Sequence, residues 1–343
     1  MFSRILHPTD YPLFLPTVVA WGWNWMGTEA FAWPPLVALS FALSCVVVVM
    51  WYLASYVSRL CALWCGSFLL MTHAFVFWST ALYAEVPFSF FVTASVLTFI
   101  TALRTRQLQL FLLAGFLTGM TTWIKNEGLP FCFYAVSSFI VLLVFLKSLP
   151  YKQKAQIALL FILGLSIPVS AHLTVKFLYG GPSIYFGRQF LFSKQESPGL
   201  IIQSLSETAQ SIKIGNIMEA CKLPLMALQT LTYAKLYNLG GPQINLDQIP
   251  KDWNFIWYLF PIAIFFNFFL QKGNFKGSYL WLMMAFILLM DLGYFIALWM
   301  TWKPIFAQTM AFAPPRLLVH NSVLAIVFLF ETFTLPLVQE FRA

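Results

Sequence analysis

The chain has 343 residues, of which 60% are hydrophobic and only 9% charged, with a formal net charge of +8 and a mean hydropathy of +0.78. Soluble globular domains carry about a quarter charged residues, so an ordinary soluble domain is excluded; a helical bundle or a closed barrel in lipid is left, because only these satisfy the backbone there. Barrel-type alternation is absent, and the Lys and Arg residues sit in short loops and at segment ends, which specifies topology and does not make a nucleic-acid footprint.

The opening stretch, residues 1–30, is polar and broken by Pro8, Pro12 and Pro16, and reads as the end of an outer loop. It lacks the basic start, apolar stretch and cleavage site of a signal peptide. Apolar runs follow at 31–55, 61–81, 86–103, 108–124, 129–147 and 156–178, close to the ~20 residues a helix needs to cross the hydrocarbon core. Pro34 and Pro35 stand near the start of the first, where helices tolerate proline. Residues 179–252 form a large outer loop. Within it "MEACKLPLMALQTLTYAKLY", 219–238, holds a proline and has lysines near its ends, and reads as an interfacial helix along the outer surface. Spans at 253–271, 279–300 and 317–335 and a cytoplasmic tail at 336–343 complete the expectation: an all-α, polytopic helical membrane protein, one membrane domain of about nine transmembrane helices.

Charge orients this arrangement. Arg59, Arg104, Arg106, Lys147, Lys152, Lys154, Lys272, Lys276 and Arg342 fall on the cytoplasmic side, leaving Arg4, Lys125, Lys303 and Arg316 in the short outer loops. Most acids, Glu85 and Glu127 among them, then face outward; Asp291, Glu331 and Glu340 do not. An outer face that gathers charge points to work done there. Cys61 and Cys65 have a spacing seen in metal sites, but no second pair or histidine cluster supports one, and buried small side chains are the better reading.

Four outer patches carry candidate chemistry. In "YAEVP" a carboxylate, Glu85, opens an apolar span with its nearest basic residues, His73 and Arg104, far along the chain. The helix dipole accounts for an acid there; it does not account for choosing a full charge beside lipid. "WIKNEG" places Lys125 and Glu127 in the next outward turn, closed by Gly128, either as a snorkelling lysine in a hairpin or as a cation offered to a phosphate. "FAPPRLLVHNS" sets Arg316, whose planar fork suits a phosphate, four residues before His320 on one helical face. "HPTDYPLFLP" offers His7, Asp10 and Tyr11 to a polar ligand, with Asp10 able to act as a base. Asp291 stands apart inside the span 279–300, a lone intramembrane acid that reads either as an ion or proton site or as a buried hydrogen-bonding group.

Taken in order, "HPTDYPLFLP", "TALYAEVPFSFF", "GFLTGMTTWIKNEG" and "PPRLLVH" resemble the bacterial membrane glycosyltransferases of the GT-C superfamily. The nearest branch is that of the dolichyl-phosphate-mannose mannosyltransferase-like and aminoarabinose-transferase-like proteins. The resemblance implies an inverting transferase in the bacterial inner membrane, multi-pass, with its active face periplasmic or extracellular. It would take a sugar from a polyprenyl-phosphate-linked donor and give it to a glycan, lipid or protein acceptor. By the same resemblance Asp10 corresponds to the acid preceding the Tyr-Pro and Glu85 to the acid at a helix joint, the two candidate catalytic acids of this chain; Lys125, Glu127, Arg316 and His320 match family positions around the substrate, and His7 and Tyr11 line the same loop as Asp10. No cofactor is required, although a divalent metal at the phosphate is compatible, and no nucleic acid is expected. Family members begin with a further helix and the early part of the first outer loop, so a preceding segment holding the family's catalytic base is expected. The alternatives are a truncated non-catalytic relative, a polysaccharide ligase or polymerase, and a multipass transporter or flippase.

Overall fold

A computed structural model describes residues 12–80, 83–145, 149–179, 259–265, 283–284, 286–291 and 320–334. The chain divides into two compact units. One comprises Met1–Tyr11, Leu173–Lys251 and Tyr294–Arg316; the other comprises Pro12–His172, Asp252–Gly293 and Leu317–Ala343. The account below concerns the second unit.

The regular structure among the described residues is entirely helical: α1 (Phe14–Met26), α2 (Trp33–Tyr56), α3 (Arg59–Met71), α4 (His73–Thr80), α5 (Glu85–Thr105), α6 (Leu108–Ile124), α7 (Gly128–Phe145) and α8 (Tyr151–Tyr179), with α9 at His320–Thr334. Short helical stretches lie at 259–265 and 286–291. Helix α1 falls where the prolines predict loop. Pro16 is its third residue, inside the first turn, where the missing N–H would have had no intrahelical partner. Pro34 and Pro35 occupy the first turn of α2 in the same way. Ser58 caps α3, its hydroxyl accepting the Cys61 N–H at 3.0 Å.

The span expected at 61–81 is two helices. Thr72 adopts an extended backbone at the end of α3, and α3 and α4 meet at 65°. The Thr72 hydroxyl donates to the Phe68 carbonyl at 2.8 Å, giving an acceptor at the break a partner. By length and composition three described helices could cross a membrane, Trp33–Tyr56, Glu85–Thr105 and Tyr151–Leu178, or four if the bent pair counts as one span. The described residues therefore carry fewer such helices than the nine expected. Helix α6 has 17 residues, which at ~1.5 Å per residue falls short of a ~30 Å core. The segment 219–238 and most of 253–271 and 279–300 lie outside the described residues.

The core is apolar, as in a water-soluble bundle, but large apolar side chains also stay exposed and several charged and polar ones are buried. Leu36, Leu39, Leu43, Val47 and Trp51 make an exposed apolar stripe along α2, and Phe133, Ile140, Val141 and Val144 do the same on α7. Glu85, Lys125, His320, Asn321, Ser322, Glu331 and Thr332 are buried. Apolar surface outside and polar groups inside suit contact with lipid, and give the bundle membrane character. Helix α5 is the centre, buried over most of its length. Phe99 on α5 stacks on Phe139 of α7 at 3.7 Å and meets Phe111 of α6 and Phe161 of α8 edge-on.

Helices α6 and α8 approach through glycine. A Cβ at Gly115 would lie 2.0 Å from the Phe161 carbonyl oxygen, and one at Gly164 would lie 2.0 Å from that of Leu112. This is the small-residue packing by which helices in lipid come into backbone contact. Further along, the Trp123 indole donates to the Pro168 carbonyl at 2.8 Å. Together these contacts hold the end of α6, and with it the turn that carries Lys125.

Candidate functional site

Glu85 is the first residue of α5, with Pro87 two positions on, where a carboxylate meets the unpaired N–H groups and positive end of the helix. It is fully buried. Lys125 ends α6 in an extended conformation, and the turn 125–127 is closed by the Gly128 N–H donating to the Lys125 carbonyl at 3.0 Å. Only glycine fits that corner, because a Cβ at Gly128 would stand 2.3 Å from the Thr121 carbonyl oxygen. The turn aims the Lys125 side chain inward, where it too is buried.

There the ammonium gathers residues from three parts of the chain. Lys125 Nζ lies 3.3 Å from Glu85 Oε1, 3.2 Å from His320 Nε2 and 3.6 Å from Glu127 Oε1. An ammonium can only donate, so His320 Nε2 accepts and its ring proton belongs on Nδ1. The imidazole is held in place by Phe88, one turn into α5, with ring centroids 4.5 Å apart. Phe88 packs in turn on Phe131 of α7. Glu127, with 27% of its side chain exposed, is the member of the group open to the surroundings. With both carboxylates ionised and the imidazole neutral, this group carries one more negative than positive charge.

The choice of a full charge in "YAEVP" thus has a spatial answer: the cation absent from the sequence around Glu85 arrives from the turn between α6 and α7, 40 positions on. Lys125 and Glu127, two residues apart, meet because both lie in the turn and not on a helix. Of the residues expected at the site, Glu85, Lys125, Glu127 and His320 are brought together. His7, Asp10, Tyr11 and Arg316 lie outside the described residues.

Asp291 does not stand alone. Its Oδ1 accepts the Asn321 side-chain N–H at 2.7 Å, so the residue next to His320 ties α9 to the stretch 286–291. A second charged group also escaped the sequence reading: Arg104 in the last turn of α5 forms an ion pair with Glu331 of α9, and the Tyr52 hydroxyl donates to the other Glu331 oxygen at 3.0 Å. The signal was available, since both charges were assigned to one side of the membrane and each closes an apolar run. Among the described residues no group of three or more His, Cys, Asp or Glu side chains could hold a metal ion.

No protein-family model, curated protein or solved structure matches the chain. Sequence and structure together establish an all-α bundle with a few long apolar helices; the transferase family rests on the four short motifs.

Proposed function

We propose that this chain is an inverting glycosyltransferase of a bacterial plasma membrane, with about nine spans, moving a sugar from a polyprenyl-phosphate donor to an acceptor on the outer side. The observation that carries the reading is the burial of one ammonium among Glu85, Glu127 and His320, groups that sequence position alone keeps apart. A buried cluster of this kind is costly to build inside an apolar bundle, and ionisable groups in that setting mark functional sites.

In the proposed reaction the acceptor oxygen attacks the anomeric carbon from the face opposite the phosphate. The bond from that carbon to the phosphate oxygen breaks, polyprenyl phosphate leaves with the electron pair, and the acceptor proton passes to a carboxylate. Asp10, in the outer loop, is assigned as that base. Glu85 is assigned to hold Lys125, since full burial keeps it from an acceptor. Because Lys125 is already shared by two carboxylates, the departing phosphate needs a further cation. Arg316, four positions before His320 in the sequence, is assigned that role. Glu127, His320, His7 and Tyr11 are left to contact sugar and acceptor.

The test is transfer of labelled sugar from a polyprenyl-phosphate donor by membranes containing the full chain. Arg316→Ala is expected to lower transfer by about 100-fold or more, as when a preorganised charge-stabilising donor is removed. Full activity in that variant would remove the donor-phosphate role. A transporter is the second reading, favoured by the Asp291–Asn321 pair inside the bundle. It predicts that Asp291→Asn abolishes uptake of a solute by sealed vesicles while no sugar is transferred.

A further inference from the structure

The same two helices meet at two places. Glu85 and Arg104 stand at opposite ends of α5, 19 residues and so about 28 Å apart along its axis. His320 and Glu331 both lie on the described part of α9, about three turns apart. At one place Phe88 of α5 holds the His320 ring beside the Lys125 ammonium; at the other, Arg104 pairs with Glu331. This second contact is elaborately held. Both Glu331 oxygens are engaged, one by Arg104 and one by the Tyr52 hydroxyl. The guanidinium carbon sits 4.6 Å from the Tyr56 ring centroid and 5.4 Å from that of Tyr52, so α2 braces the pair from a third side.

We propose that Arg104, Glu331 and Tyr52 are positioning residues that set the register of α9 on α5 and thereby hold His320 within reach of Lys125. A buried ion pair adds little net stability compared with apolar groups of the same volume; its best-attested use is to specify one register among several. Here register matters sharply. A slip of one residue moves a helical side chain by about 1.5 Å and turns it by about 100°, enough to take His320 Nε2 out of hydrogen-bond range of Lys125. Apolar packing alone does not forbid such a slip, because one leucine-like surface serves nearly as well as the next. A guanidinium nitrogen paired with one carboxylate oxygen, while a tyrosine hydroxyl holds the other, does resist it. The inference rests on the reading of the Lys125 cluster as the working site, but its test needs no substrate.

The experiment is nitrogen NMR of the His320 imidazole in full-length, histidine-labelled protein in nanodiscs, with the signal assigned by His320→Gln. Wild type is expected to give one His320 environment with Nε2 as a hydrogen-bond acceptor. In Arg104→Met/Glu331→Leu, which replaces the pair by apolar groups, the His320 signal is expected to move or split. That of His172, packed on Trp123, is expected to stay. If the double variant does not fold, Glu331→Gln, which keeps the side-chain volume, reads the same signal. An unmoved, single His320 signal in whichever of these folds overturns the proposal. Lack of sugar transfer by the wild type would leave this result standing, so the two readings fail separately.

Discussion

Lys125→Met is expected to destabilise the bundle by about 3–5 kcal/mol, the range for breaking a buried ion pair from one side. The methionine retains the volume of the stem, so the effect comes from charge and not from a cavity. Glu85 is fully buried, and the substitution removes the ammonium 3.3 Å away from its carboxylate. The companion result separates stability from chemistry. Glu85→Gln/Lys125→Met removes both charges, and replacing a buried pair by neutral groups is often close to neutral in stability. The double variant is therefore expected to recover most of the thermal stability lost in the single one, while sugar transfer stays lost in both. Unfolding in detergent or nanodiscs, followed by intrinsic Trp fluorescence, measures the first; the labelled-donor assay measures the second. Recovery of transfer by the double variant would mean that the pair is structural only.

Gly115→Leu is expected to be among the most damaging apolar substitutions in the described part of the chain. Its Cβ alone would fall 2.0 Å from the Phe161 carbonyl oxygen, and the neighbour that must give way is helix backbone, not the tip of a flexible side chain. Overpacking of well-packed interiors costs typically about 1–3 kcal/mol and occasionally more; a clash with backbone belongs at the upper end. The consequence reaches the site, because α6 ends in Lys125 and is held to α8 by the Trp123–Pro168 hydrogen bond. Loss of folded yield, or a large fall in unfolding temperature together with loss of the Lys125-dependent activity, is the expected outcome. Leu113 provides the control: it sits two residues away with an exposed side chain, and Leu113→Ala is expected to leave both readouts nearly unchanged.

Much of the helical organisation was legible because it is written in local terms. Long apolar runs bounded by charge or proline placed α2, α5 and α8 within a few residues of their ends. What local pattern could not show is geometry decided by single residues. The bend at Thr72 leaves no interruption in hydropathy, since a threonine is ordinary within an apolar run. Helix α1 was concealed by Pro16, which reads as a breaker unless the helix start is known. The candidate site was legible to the extent that topology put several charged turns on one side. The sharing of the Lys125 ammonium by Glu85 and His320 is a long-range fact with no trace in spacing; Glu127 alone is its neighbour in sequence. The Arg104–Glu331 pair went unread because each residue alone has a sufficient explanation, a basic helix end and a stray acid, and only their juxtaposition is informative.

Binding of polyprenyl monophosphate to the purified full-length protein, compared with binding of the uncharged polyprenol, tests the central claim most directly. A working donor site at the Lys125 cluster predicts saturable binding of the phosphate, at least about tenfold tighter than the alcohol (about 1.4 kcal/mol). It also predicts that Glu85→Gln/Lys125→Met weakens this preference in protein that is still folded. Equal binding of phosphate and alcohol, or a preference unchanged in that variant, would contradict the claim.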